Sequence, residues 1–237
     1  MQNMIKTKLF NSDMYMSDCV VRSDSGRVLL SVSNLKMNEG TTLGIYGPSG
    51  AGKTTLLYSL AGLLDYVEGS IVWGKTDLLK LTIAQRSQFR ADHVGIIFQD
   101  FHLFDELGAL TNASISKMYS PRSERRNLTE GAKVILGHLG LDGANTSVTK
   151  LSGGERQRIA IARALAQEKS ILLADEPTAS LNREMADSLI NDLLRYVTNE
   201  HKTLITVSHD MNLLSRMDRT IELVGGHITT STKVKVL

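Results

Sequence analysis

The stretch Gly47-Pro48-Ser49-Gly50-Ala51-Gly52-Lys53-Thr54 fits G-x-x-x-x-G-K-[ST] at every fixed position. Such a loop does phosphate chemistry. Its glycines let the backbone bend so that successive N–H groups point at phosphate oxygens. A helix opening at Lys53 adds its positive end. Lys53 is expected at the β- and γ-phosphates, and the Thr54 hydroxyl on Mg²⁺. Thr55 belongs to the same binding group. A glycine-rich turn can match the pattern by chance, but here an apolar strand, Thr42–Tyr46, precedes it. Leu56, Leu57 and Leu60 follow on a helix, which completes the required strand–loop–helix.

A second pair of groups fits the same chemistry. Ile171-Leu-Leu-Ala-Asp175-Glu176 is an apolar run ending in two acids. On a buried strand these fall at the carboxyl edge, where α/β sheets bind ligands. Asp175 is the expected partner of Mg²⁺, and Glu176 is placed to polarise an attacking water. Phosphoryl transfer is mostly positioning and charge stabilisation, so one oriented carboxylate matters greatly. Taken alone, the two acids could equally be a surface pair at a strand end.

The elements that must position these groups alternate short apolar runs with longer helical patterns, as in an α/β domain with a mainly parallel sheet. Buried strands are expected at Thr42–Tyr46, Val94–Phe98, Ile171–Ala174, Leu204–Val207 and Ile221–Val224. Helices are expected at Thr54–Leu64 and Arg183–Val197, the latter with Met185, Leu189, Leu193 and Val197 on one face and Asn182 as its cap. Asp100–Lys150 reads as a helical insertion, with a helix at Thr129–Leu139 and a surface loop at Ser120–Asn127. Tyr15–Val21 and Arg27–Leu30 alternate as strands around a turn at Ser23–Gly26, forming an antiparallel sheet beside the core.

The totals bound the function. The 237 residues suit one large domain. A net charge of +2, from 27 basic and 25 acidic residues, gives no basic stripe, so no nucleic-acid partner is expected. The single Cys19 cannot form an internal disulfide. No apolar run is long enough to span a bilayer, and Met1–Phe10 leads into no apolar leader core. A membrane role would therefore require docking to another polypeptide.

Leu151-Ser152-Gly153-Gly154-Glu155-Arg156-Gln157 is a polar glycine turn opening an Arg-rich helix, Arg156–Ala166. Ser152 could cap that helix, and Gly153–Gly154 could offer N–H donors to an anion. These residues resemble the LSGGQ-type signature of ATP-binding cassette proteins, and the resemblance runs from about Tyr15 to Ile228. It implies an α/β fold: a P-loop NTPase core with a mainly parallel sheet, an N-terminal antiparallel β subdomain and a helical insertion carrying the signature. Residues 1–237 would form one ATPase domain, with the helical subdomain at about 100–165. It implies ATP and Mg²⁺ as ligands. Gln99, after Ile96-Ile-Phe, resembles the glutamine that contacts Mg²⁺ and the attacking water. His209, in Thr206-Val-Ser-His209-Asp210, resembles the histidine that touches the γ-phosphate. Lys53, Gln99, Glu176 and His209 would be the catalytic set, and Thr54, Gln99 and Asp175 the metal set.

By the same resemblance, the signature of one cassette sits on the γ-phosphate held by another. Ser152, Gly153 and Gly154 would then act in trans, in a homodimer or a pseudo-dimer with a second cassette. An integral membrane permease subunit would dock near Gln99–Phe104, placing the chain peripherally on the cytoplasmic face of the inner membrane. Two positions depart from the family pattern. Asn182 ends Ala179-Ser-Leu-Asn182 where Asp is usual, and Val21–Asp24 lacks the aromatic on which many cassettes stack adenine. Arg22 could stack there instead, while Tyr15 packs in its strand. Arg90–Gln99, Leu173–Thr178 and His209–Asp218 resemble the bacterial lipoprotein-release, macrolide-export and cell-division ATPases. The competing readings are a soluble, non-transport cassette ATPase and a weakly hydrolysing, nucleotide-dependent regulatory module.

Overall fold

The computed structural model describes residues 10–123, 125–141 and 147–233, so the leader reading falls, but for Phe10, outside the described residues. Strands β1 (Met14–Arg22) and β2 (Val28–Met37) pair antiparallel around the expected turn, where the Gly26 N–H donates to the Ser23 carbonyl at 2.8 Å. Met14 and Met16, then Cys19 and Val21, of β1 are buried, two alternating pairs whose phase slips at Asp18 (φ +49°), where the pairing with Val67–Trp73 shifts register. The second strand runs well past Leu30, because Val32, Leu35 and Met37 extend the buried face.

β3 (Thr42–Tyr46) leads through the glycine loop into α1 (Lys53–Leu60). This helix stops four residues short of the expected Leu64. Gly62, at φ +63°, takes the left-handed position that ends helices: its N–H donates to the Ser59 carbonyl and the Leu63 N–H to that of Tyr58. β4 (Val67–Trp73) and β5 (Thr76–Asp77) return to the first sheet, giving the order β2-β1-β4-β5. α2 (Ile83–His93), opened by a Thr82–Gln85 capping box, precedes β6 (Val94–Ile97).

The insertion carries α3 (Ala109–Ala113), α4 (Arg125–His138) and α5 (Gly153–Leu165). The surface-loop reading of Ser120–Asn127 is corrected for 125–127, which form the first turn of α4. Their polar side chains lie on its solvent face, while Ala132 and Leu136 are buried. The signature helix likewise starts at Gly153 rather than Arg156, because Ser152 and Glu155 form a capping box one turn earlier.

β7 (Ile171–Asp175), α6 (Arg183–Asn199), β8 (Thr203–Val207), α7 (Met211–Leu214), β9 (Arg219–Val224) and β10 (His227–Lys233) complete the described chain. The larger sheet has the order β10-β9-β3-β8-β7-β6. It is parallel except for the β9–β10 pair. β7 and β8 are buried at every residue, as expected for parallel strands covered on both faces. One apolar core joins the antiparallel sheet to α1 and the parallel strands. A second lies under α4, α5 and α6.

Candidate functional site

The carboxyl ends of β3, β7 and β8 meet at an open cleft of about 1150 Å³. Its floor is the glycine loop. At Gly47 (φ +146°) a Cβ would lie 2.0 Å from the Leu223 carbonyl oxygen, so the loop can pass under β9 only as glycine. α1 begins without a side-chain cap, so its first-turn N–H groups face the cleft with no intrahelical acceptor. Lys53 is 9% exposed and its ammonium donates to the carbonyls of Gly47 and Pro48 at 2.9 and 3.0 Å. The cleft is also lined by Ser49 through Thr55, Gln99, Asp175, Glu176 and His209. Residues from four separate stretches of sequence thus share one wall.

Asp175 is 1% exposed at the end of β7, and neither carboxylate oxygen makes a hydrogen bond of good geometry. Burial pushes its carboxyl above the ordinary range, opposed by the Thr54 hydroxyl and the Lys53 charge. A buried, unpartnered carboxylate next to a hydroxyl is an oxygen donor set suited to a hard divalent cation. The residues therefore fit Mg²⁺.

Glu176 follows on a sharp turn, at φ +47°, with its N–H donating to the Val207 carbonyl at 2.9 Å. That turn swings its carboxylate towards β8. There one oxygen accepts the His209 N–H at 3.3 Å and the other lies 3.5 Å from the His209 imidazole Nε2. Burial is the largest influence on Glu176 and lifts its carboxyl above the usual glutamate range. His209 pulls it back, Asp175 adds to the rise and Lys53 opposes it. A carboxylate made more basic, yet still next to a partner, is what proton transfer near neutral pH calls for. The His209 side chain is 60% exposed and turned to the open side of the cleft.

The next residues join the two halves of this wall. Asp210 caps α7 through the Asn212 N–H and accepts from Arg183 at 3.2 Å and from the Thr178 hydroxyl at 3.4 Å. Arg183 also pairs with Asp187. Asn182 caps α6 as expected, accepting the Met185 N–H at 2.9 Å.

Ser152, Gly153 and Gly154 are not among the cleft residues. They stand at the start of α5, with Ser152 and Gly153 exposed, next to Ser180 and Leu181. Gln99 is exposed at the cleft edge. The segment after it is held by Arg163 of α5, which donates to the carbonyls of His102 and Phe101, and by the buried Asn112, which bonds both backbone groups of Phe104. Phe98 is half-buried, edge-on to Tyr58 and His102, and Phe104 is 52% exposed.

Arg22, considered for a stacking role, is half-exposed beside the hollow that Tyr66 also lines. The edge of its guanidinium meets Glu68 at 3.3 Å and the Gly26 carbonyl at 3.5 Å. Tyr15 lies in β1, as expected, with its hydroxyl accepting from Asn34. Sequence reading also missed Arg163 and Asn112, whose partners lie on other elements. A buried Arg on an otherwise apolar helix face was the available signal.

The family profile described as ABC transporter matches residues 30–179. The chain belongs to the ABC transporter ATPases. It is 38% identical over 207 residues to the lipoprotein-releasing system ATP-binding protein LolD of Granulibacter bethesdensis, covering 86% of this chain and 90% of that one. Identity to the ABC transporter ATP-binding protein YbbA of Escherichia coli K12 is 41% over 204 residues, covering 84% and 88%. Among solved structures, the dimeric bacterial ABC transporter cassette MJ0796 aligns with a TM-score of 0.86 at 29% identity, covering 94% of this chain and all of that one. Its dimeric post-hydrolysis state bound to ADP and Pi aligns with a TM-score of 0.85. The ABC cassette fold expected from the sequence is thus present, with its antiparallel subdomain and mostly parallel sheet. As an ABC ATPase the chain binds and hydrolyses ATP and serves as the energising subunit for a separate membrane component of a bacterial transporter.

Proposed function

We propose that this ABC subunit hydrolyses ATP at a site completed by a second cassette, and that each polar group of the cleft has one task. The loop N–H groups from Ser49 to Thr55 and the Lys53 ammonium bind the triphosphate. Thr54, Asp175 and Gln99 hold Mg²⁺, which when bound neutralises phosphate charge. Glu176 orients the attacking water and accepts its proton. His209, tied to Glu176, faces the γ-phosphate. Ser152, Gly153 and Gly154 present the capped start of α5 to the ATP of the partner cassette. The chain acts as one domain, with 100–165 as its helical arm.

The observation that carries this reading is the division of labour in the fold. The phosphate loop, both carboxylates, Gln99 and His209 share one cleft, while the signature faces outward beside Ser180 and Leu181. The segment Gln99–Phe104, with Phe104 exposed, is the place for the membrane subunit's cytoplasmic helix, held from beneath by Arg163. Likeness to a lipoprotein-releasing ATPase favours a partner that drives extracytoplasmic lipid-linked cargo, with the cassette peripheral on the cytoplasmic face. No nucleic acid is involved.

The test is co-expression with its membrane partner, sought among the neighbouring genes. The complex should show Mg²⁺-dependent ATPase activity that Glu176→Gln abolishes while nucleotide binding persists. Full turnover in that variant would remove Glu176 from its role. A neighbouring gene without a membrane protein bearing a large extracytoplasmic domain would count against the branch.

A further inference from the structure

The residues assigned above meet the phosphates of ATP, and none of them meets its base. We propose that Tyr66, in the loop between α1 and β4, is the aromatic platform on which the purine stacks. The inference rests on the reading that the phosphate loop holds ATP.

A second hollow of about 170 Å³ adjoins the phosphate cleft, and the two share Leu29 of β2 and Thr54 and Thr55 on the first turn of α1. A ligand running from the loop past Thr55 enters it without crossing any element. Its volume is well below the roughly 300–1,000 Å³ of a whole small-molecule site, which suits a single ring system. Leu29 and Leu64 make its walls apolar, and Tyr66 and Arg22 form its rim.

Tyr66 is 69% exposed beside this hollow, so its ring is open to a flat ligand. The β1–β4 pairing puts it there. Val21 lies opposite Val67, so Tyr66 enters beside Arg22 across the strand pair. Arg22 meets Glu68 and the Gly26 carbonyl through its edge, which holds it at the rim beside Tyr66. The aromatic missing from Val21–Asp24 is thus supplied from the loop that leads into the neighbouring strand. Stacking on a flat ring suits every base, which makes this contact one of affinity more than of base choice.

Calorimetric titration of the full-length chain with Mg²⁺-ATP and with Mg²⁺ and inorganic triphosphate tests it. In Tyr66→Ala, ATP should bind about ten-fold more weakly and triphosphate as in the wild type. Tyr66→Phe should restore ATP binding. Unchanged ATP affinity in Tyr66→Ala overturns the proposal, and so does an equal loss for ATP and triphosphate, which would place the damage at the phosphates. Lys53→Ala separates the two readings by weakening both ligands. If it weakens neither, the phosphate loop itself has been misassigned, whatever Tyr66 does.

Discussion

Arg163 donates two hydrogen bonds from the signature helix, at 2.6 Å to the carbonyl of His102 and at 2.8 Å to that of Phe101. Arg163 is 9% exposed, and burial alone lowers its pKa. One side chain thus fixes the backbone just after Gln99 to the helix that carries Ser152–Gly154. Charge-assisted bonds contribute about 1.5–3 kcal/mol, and carbonyls left unpaired cost a similar amount. Arg163→Leu should therefore destabilise the chain by about 2–4 kcal/mol in urea unfolding and speed amide exchange at Leu103 and Phe104. Normal exchange there would mean that Asn112 alone holds the segment.

The Glu176–His209 contact gives a pH signature. Glu176 has its native pKa raised, chiefly by burial, so between its unfolded and native values the folded chain binds more protons. Stability from this group is then greatest at low pH and is lost as pH rises through the native pKa. Glu176→Gln cannot ionise, so it should melt above the wild type at pH 8, with the gap narrowing as pH falls through that native value. Its turnover should drop by about 10²–10⁴-fold, the usual contribution of a general base. In the wild type, activity should fall on acidification at a pH above the ordinary glutamate range. A melting gap that widens on acidification would contradict the raised pKa.

Asp175 has both oxygens buried and unpartnered. Asp175→Asn removes a charge whose burial is unfavourable, so the variant without nucleotide should melt above the wild type. It should also lose the extra stabilisation that Mg²⁺ adds to ATP. Differential scanning fluorimetry with ATP plus EDTA against ATP plus Mg²⁺ measures both. Retention of the Mg²⁺ increment would assign the ion to other groups.

Asn182 separates a structural task from an electrostatic one. Its cap to Met185 predicts that Asn182→Ala costs about 1 kcal/mol, while Asn182→Asp keeps the cap. The added charge at the start of α6 contributes a further ~0.3–1 kcal/mol. Chemical unfolding checks both values, and a change in turnover in Asn182→Asp then reports the charge and not the fold.

Much of this site could be read along the chain, because its parts are local. A strand, a glycine loop and a helix are contiguous at Thr42–Leu60, and the two acids end the strand that positions them. Asn182 and Ser152 cap helices through neighbours three residues away, within reach of pattern reading. What could not be read depends on distance or on phase. Arg163 finds its acceptors 61 and 62 residues away. Arg22 meets Glu68, which β-pairing alone brings near. α4 begins inside a stretch whose polarity marks a solvent-facing helix face as readily as a loop. The stop of α1 was local and legible, and Gly62 was the residue to weigh.

The outward position of Ser152–Gly154 also has a genetic meaning. On the two-cassette reading, a defect in the signature spoils the ATP held by the neighbour, and a defect at Lys53 spoils the chain's own. Two such alleles expressed together would assemble some mixed pairs in which one site collects both lesions and the other collects none. Complementation between them would then be partial and limited to mixed pairs, whereas two alleles damaged in the same half could never restore a whole site.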